Sequence, residues 1–287
     1  MRRFLFGLVF VAFNLVKANS AFADNCSAFD KALIFDAKHT FSVEIGDPSN
    51  KKTVYVMAAP WCQPCTNLYQ AYLQEKPSFN LKISMMSLVN EHHDKQAIDF
   101  VVNGIEGAHR TYGSKSQPQN VSSDYEWLIS AIEMHVIGIK DRLEKAGKHL
   151  ASPWVFLPTK NGVMTFAAGN KSVADARRLL RMFQEDVVVD QYPPEDFDVD
   201  EINRSINGMF EIEPRNVYAG EKGAMIYSFP HVKASAHSCS AKGYGYRAVG
   251  KVVSNGETFY KVEAGTRSGR LLFAFMREAE LSLSSRK

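Results

Sequence analysis

Two cysteines separated by two residues are the part of this sequence best suited to chemistry. The run Trp61-Cys62-Gln63-Pro64-Cys65 contains two of the four cysteines in the chain. Such a pair can cycle between dithiol and disulfide, form a fixed structural bridge, or supply half of a metal site that needs two more ligands. Redox exchange requires a sulfur that ionises readily. Here the pair follows a run of β-formers and opens a helical pattern, so unpaired backbone N–H groups and the helix dipole favour a thiolate at the first cysteine. Cys62 is therefore the expected attacking sulfur. Cys65 is expected one turn in and less exposed, close enough to attack a mixed disulfide formed on Cys62.

The elements that must position this pair can be read on either side of it. Phe41 onward reads as a strand, Asp47-Pro48-Ser49-Asn50 as a turn, and Thr53 to Met57 as a second strand. A helix follows the cysteines, with Leu68, Tyr69, Tyr72 and Leu73 at helical spacing and Pro77 closing it, and Leu81 to Leu88 reads as the next strand. Residues 90 to 150 turn helical and polar around the loop GSKSQPQN. The clearest helix there is expected to begin at a Ser123/Glu126 capping box, to bury Leu128, Ile132, Val136, Ile139 and Leu143, and to end at Gly147. Trp154 to Leu157 and Val163 to Ala167 read as strands around an Asn161-Gly162 turn, and Ser172 to Gln184 as a last helix.

The motif WCQPC after a β-run resembles the active site of the thioredoxin superfamily, and Ser152-Pro153 before WVFLPTKNGV resembles that family's cis-proline loop. Within the superfamily, IGDPSNKKTVYVMAAPWCQPC is similar to the catalytic domains of periplasmic Dsb-type oxidoreductases. The resemblance covers about residues 40 to 186. It implies an α/β thioredoxin fold with a helical insertion, a cis Ser152–Pro153 bond beside the cysteines, and substrate backbone held by Trp61, Ser152 and Pro153. It also implies that Gln63 and Pro64 tune the pair. The family's frequent buried acid, six residues before the first cysteine, is replaced here by Val56. Too few residues precede Phe41 for the N-terminal dimerisation domain of the dimeric isomerases.

Eight acidic residues, no basic ones and Pro193-Pro194 fill Glu185 to Glu201, a composition that reads as a solvated linker. Beyond it, Ala224 to Ser228, Tyr246 to Ser254, Thr258 to Ala264 and Leu271 to Phe275 read as short strands, with an Asn255-Gly256 hairpin. This tail resembles a bacterial SH3-like barrel, which implies a peptide or cell-wall ligand. The expected division is a signal peptide at 1–23, a redox domain at 24–189 with its insertion near 90–150, an acidic linker at 190–202 and a small all-β domain at 203–287. Because the cysteines and the proline loop precede the linker, exchange activity is expected to survive removal of the tail.

Composition bounds the setting. The chain has 287 residues, 45% hydrophobic and 23% charged, enough apolar surface for two cores. Arg2 and Arg3, an apolar run from Phe4 to Val16 and a small-residue end at Ala21-Phe22-Ala23 read as a cleaved secretory signal, which places the mature chain in the periplasm. Removing Arg2, Arg3 and Lys17 from a net charge of +3 leaves a neutral chain with nothing to favour nucleic acid. In an oxidising compartment the two remaining cysteines, Cys26 and Cys239, are expected to pair with each other. His92-His93 read as surface residues, with no third ligand for a metal. No cofactor is expected. The partners expected are protein thiols and disulfides, together with a redox partner in the envelope or inner membrane. The competing reading is a non-catalytic scaffold of an envelope assembly in which the cysteines are structural.

Overall fold

The computed structural model describes residues 37–86, 91–145, 147–190, 194–234, 236–267 and 269–284. The signal segment and Cys26 lie outside them, as does the end of the strand expected to reach Leu88. The first half is a mixed α/β layer structure. Its five-stranded sheet comprises β1 (Ser42–Ile45), β2 (Thr53–Ala58), β3 (Asn80–Met85), β4 (Trp154–Thr159) and β5 (Gly162–Ala167), in the spatial order β1-β3-β2-β4-β5. Strands β2 and β3 are parallel, joined by helix α1 (Gln63–Glu75), whereas β1, β4 and β5 each run antiparallel to their neighbours. Every residue of β2 is buried, as the near-continuous apolar run Thr53-Val54-Tyr55-Val56-Met57-Ala58 requires of a central strand covered on both faces.

Helix α1 is anchored at its far end by Tyr72, whose hydroxyl lies 2.9 Å from the Ile45 carbonyl and 2.6 Å from that of Phe79. Lys76 caps it in the left-handed conformation, and Pro77 follows. Between β3 and β4 the chain inserts α2 (Glu91–Val102), α3 (Gly104–Ala108), a π-helical turn at His109–Ser114 and α4 (Trp127–Lys145). The start of α4 differs from the capping-box expectation. Ser122 rather than Ser123 supplies the cap, and a 3-10 turn at Ser123–Tyr125 precedes the α-helix. Helix α5 (Val173–Asp186) opens on a Ser172 cap and buries Ala176, Leu180 and Phe183 against the sheet.

The second half is a seven-stranded antiparallel sheet made of β6 (Phe210–Ala219), β7 (Ala224–Tyr227), β8 (Ala236–Ser240), β9 (Gly245–Ser254), β10 (Glu257–Arg267), β11 (Arg270–Arg277) and β12 (Leu281–Ser282). Its order is β12-β6-β9-β10-β11-β7-β8. The β9–β10 turn places Asn255 and Gly256 both at positive φ, the conformation this dipeptide tolerates best. Strands β6, β8 and β12 are not in the sequence reading. In β6 the run FEIEPRNVYA contains a proline and three charges, and the strand bulges between Glu211 and Arg215, so its alternation is broken.

The acidic stretch is more ordered than its composition suggests. It holds helix α6 (Val199–Asn207), capped by Asp198, and the apolar face of that helix buries Ile202 and Ile206. Two of its carboxylates neutralise lysines of the first half. Asp190 pairs with buried Lys38, and Asp196 lies 2.5 Å from Lys82, whose side chain is 2% exposed. A buried ammonium needs such a partner, and composition alone cannot show where that partner comes from.

The two sheets have separate cores, bridged by helix α4. Helix α4 packs on β8 and β11, and its residues divide between clusters. Ile132, Val136, Ile139 and Leu143 join the first-half core, while Leu128, Ile129 and Ala131 pack with Phe41, Ile98, Phe229, Val252, Phe259 and Phe275. Met134 enters a third cluster inside the C-terminal sheet. This helix, expected to carry one apolar stripe, is buried nearly all round, which bears directly on whether the tail is removable. No helix among the described residues is long and apolar enough to cross a membrane.

Candidate active site

Cys62 and Cys65 form a disulfide at the start of α1, with Cα atoms 5.2 Å apart. Cys62 is the N-cap residue, in extended conformation, and its Sγ accepts the Cys65 backbone N–H at 3.1 Å. Pro64 sits in the first turn, where its missing N–H costs nothing, and no acidic residue lies in that turn to offset the positive end of the helix. The sulfur that would carry charge in the reduced protein is therefore the one facing the free amides. Exposure does not separate the two cysteines as strongly as expected, since Cys62 is 6% exposed and Cys65 4%. Their asymmetry lies in their hydrogen-bond surroundings.

The Ser152–Pro153 peptide bond is cis, and the loop it forms lies against the pair. The Ser152 hydroxyl accepts the Ala59 backbone N–H at 3.0 Å and lies 3.1 Å from Cys65 Sγ. A disulfide sulfur carries no proton, so the Ser152 hydroxyl is the donor in that contact. Ser152 thus touches the buried cysteine itself, a role beyond the substrate contact that the family resemblance implied. Pro153 is buried, and its carbonyl accepts the Ala168 N–H at 2.9 Å, tying the loop to the chain beyond β5. Val56, six residues before Cys62, is buried in β2.

The residues between the cysteines are held by a chain of polar contacts that sequence reading did not find. Lys115 donates from Nζ to Gln63 Oε1 at 2.9 Å, and Gln63 Nε2 donates to Asn67 Oδ1 at 3.0 Å. Asn67 Nδ2 donates to the Asn170 carbonyl at 3.3 Å, while Asn170 Nδ2 donates to the Pro64 carbonyl at 2.7 Å. Lys115 comes from the insertion and Asn170 from the loop before α5, so no spacing rule links them to residues 62–65. Lys115 also brings a cation to the helix end that favours a thiolate.

Trp61 is 43% exposed and forms the outer wall. Its ring stacks on that of His93 at a centroid distance of 4.6 Å. His93 is half-buried, with a pKa pushed down by burial and by neighbouring His92 and raised in part by Asp94. The sequence reading placed both histidines on the surface. His92 is exposed, but His93 borders the candidate site. Among the described residues no group of three or more His, Cys, Asp or Glu side chains is placed to hold a metal ion. Cys239 lies in β8, opposite Met225, and its expected partner Cys26 is outside the described residues.

No family model matches this chain, and no curated protein does. Among solved structures it is similar to a disulfide interchange protein from Neisseria gonorrhoeae at 16% identity and a TM-score of 0.34, over 50% of this chain and 96% of that one. It is also similar to oxidised BdbD from Bacillus subtilis at 10% identity and a TM-score of 0.31, over 58% and 100%.

Proposed function

We propose that this chain is an exported thiol–disulfide oxidoreductase of the periplasm, acting on envelope proteins through Cys62 and Cys65. The observation that carries the reading is a disulfide capping the uncompensated positive end of α1 while a Ser152 O–H meets Cys65. In the reducing direction, Cys62 thiolate attacks a substrate disulfide and expels one substrate thiolate, leaving a mixed disulfide. Cys65 thiolate then attacks Cys62 Sγ, releases the second substrate thiolate and forms the Cys62–Cys65 bond, with two electrons passing to the substrate. Oxidation of a substrate dithiol is the same path reversed. Trp61, Ser152 and Pro153 hold substrate backbone, and Gln63 and Pro64, steadied by Lys115 and Asn170, set the poise of the pair.

The seven-stranded sheet is proposed to serve as an SH3-like module for a peptide or cell-wall ligand, with Cys26 and Cys239 bridged to tie the N-terminus to it. A redox partner in the envelope or inner membrane would reset the pair. The test is insulin reduction and refolding of a reduced substrate, with a redox titration of the pair. A potential near about −270 mV would assign a reductase and one near about −120 mV an oxidase. A pair that neither exchanges with substrate nor titrates reversibly would return the cysteines to a structural role.

A further inference from the structure

Helix α2 is held on one side by the C-terminal sheet and touches the candidate site on the other. Asp94, with a side chain 8% exposed, lies 2.8 Å from Arg270 Nη1 at the start of β11, on the β10–β11 hairpin. One turn along the same helix, Ile98 is buried in a cluster with Val252, Phe259 and Phe275 of that sheet. His93 directly precedes Asp94, and its ring rests on Trp61, the residue directly before Cys62. Ala97 and Phe100 meanwhile root α2 in the core of the first half.

We propose that the C-terminal sheet positions the redox site, with Arg270 holding α2 through Asp94 so that His93 supports Trp61 beside Cys62. This rests on the reading of Cys62–Cys65 as a redox pair. A carboxylate buried as deeply as Asp94 is costly without a cation, so the ion pair specifies where the hairpin and α2 meet. Because His93 and Asp94 are adjacent on one rigid helix, displacement at one is displacement at the other. Trp61 presents much of its ring to solvent, and a platform already held in place binds a polypeptide without the entropy cost of fixing it. Arg270 is therefore a positioning residue, whose loss acts on binding of large substrates rather than on the sulfur chemistry.

The test uses the full chain with Arg270→Gln, Arg270→Lys, His93→Ala and the His93/Arg270 double variant, each compared in a Trp61→Phe background to isolate that residue's fluorescence. Arg270→Gln should change Trp61 emission and raise KM for a reduced polypeptide by about three- to thirtyfold. Exchange with dithiothreitol should stay within about twofold, equivalent to about 0.4 kcal/mol. Arg270→Lys should recover part of the loss, and Arg270→Gln should add nothing once His93 is alanine. Unchanged Trp61 emission and KM, or additive effects of the two substitutions, would overturn the proposal. If Arg270→Gln fails to fold, Arg270→Gln with Asp94→Asn, which strands no charge, gives the same readout. If the unaltered chain exchanges no disulfides, the redox reading fails, and Trp61 emission alone still decides the coupling.

Discussion

Replacing Ser152 with alanine should slow the step in which Cys65 resolves the mixed disulfide. The Ser152 hydroxyl has one proton, and with its oxygen accepting the Ala59 N–H that proton points to Cys65 Sγ. A hydrogen bond to a charged group contributes about 1.5–3 kcal/mol, and sulfur is a weak acceptor, so the lower end applies. Its loss removes that support from the Cys65 thiolate, raises the Cys65 pKa and cuts the thiolate fraction about tenfold at neutral pH. A more basic thiolate is a better nucleophile, with a Brønsted slope of about 0.5 that restores roughly threefold, so the net slowing is about threefold. The same substitution strands the buried Ala59 N–H and should lower stability by about 1–3 kcal/mol in both redox states. Quenched-flow kinetics of a substrate peptide leaving Cys62, followed against pH, would separate the effects. Slowing should fade once pH exceeds the Cys65 pKa, and Ser152→Thr should retain most of the wild-type rate. A Ser152→Ala protein with the wild-type rate and pH profile would refute the assignment of this hydroxyl to Cys65.

Burial pushes the pKa of His135 down to about 3, so it stays neutral in the folded chain while its unfolded counterpart takes up a proton below about 6.5. Stability should therefore fall as pH drops from about 6.5 towards 3, by up to about 1.4 kcal/mol per unit, and urea titrations of His135→Gln should lack that component. Ending the chain at residue 189 should expose Phe41, Ile98, Leu128 and Ile129, each worth about 1.5–3 kcal/mol of burial, which together rival the stability of a whole domain. The shortened chain should melt far lower or aggregate by scanning calorimetry, contrary to the expectation from domain order alone, and an unchanged Tm would show that α4 does not need the sheet. Alkylation of unreduced, denatured protein followed by mass measurement should label neither Cys26 nor Cys239, and labelling of both would eliminate their bridge.

What could be read from the sequence follows from how local each signal is. The strand before Trp61, the helix opened by Cys62, the Pro77 stop and the Asn255-Gly256 turn are decided by neighbours within a few residues, and all are present. The burial of Val56, Tyr69, Leu128 and Val136 follows from periodicity in the same way. The residues around the cysteines are different. Ser152 was placed beside the pair by the family resemblance, but Lys115, Asn170 and His93 reach residues 61–65 from separate elements, and contacts between distant segments leave no spacing pattern. The acidic stretch looked solvated because its partners, Lys38 and Lys82, lie more than a hundred residues earlier. Strand β6 was hidden because a bulge and a proline interrupt its alternation.

The most direct test of the Cys62–Cys65 assignment is to compare Cys65→Ser and Cys62→Ser by non-reducing electrophoresis after expression in the compartment where the chain acts, identifying any joined cysteines. Cys62 has the helix amides and Cys65 faces Ser152, so Cys65→Ser should accumulate substrates as long-lived mixed disulfides on Cys62, because attack proceeds and resolution does not. Cys62→Ser should trap almost nothing. Equal trapping by both variants, or trapping by neither, would contradict Cys62 as the nucleophile and favour a structural disulfide.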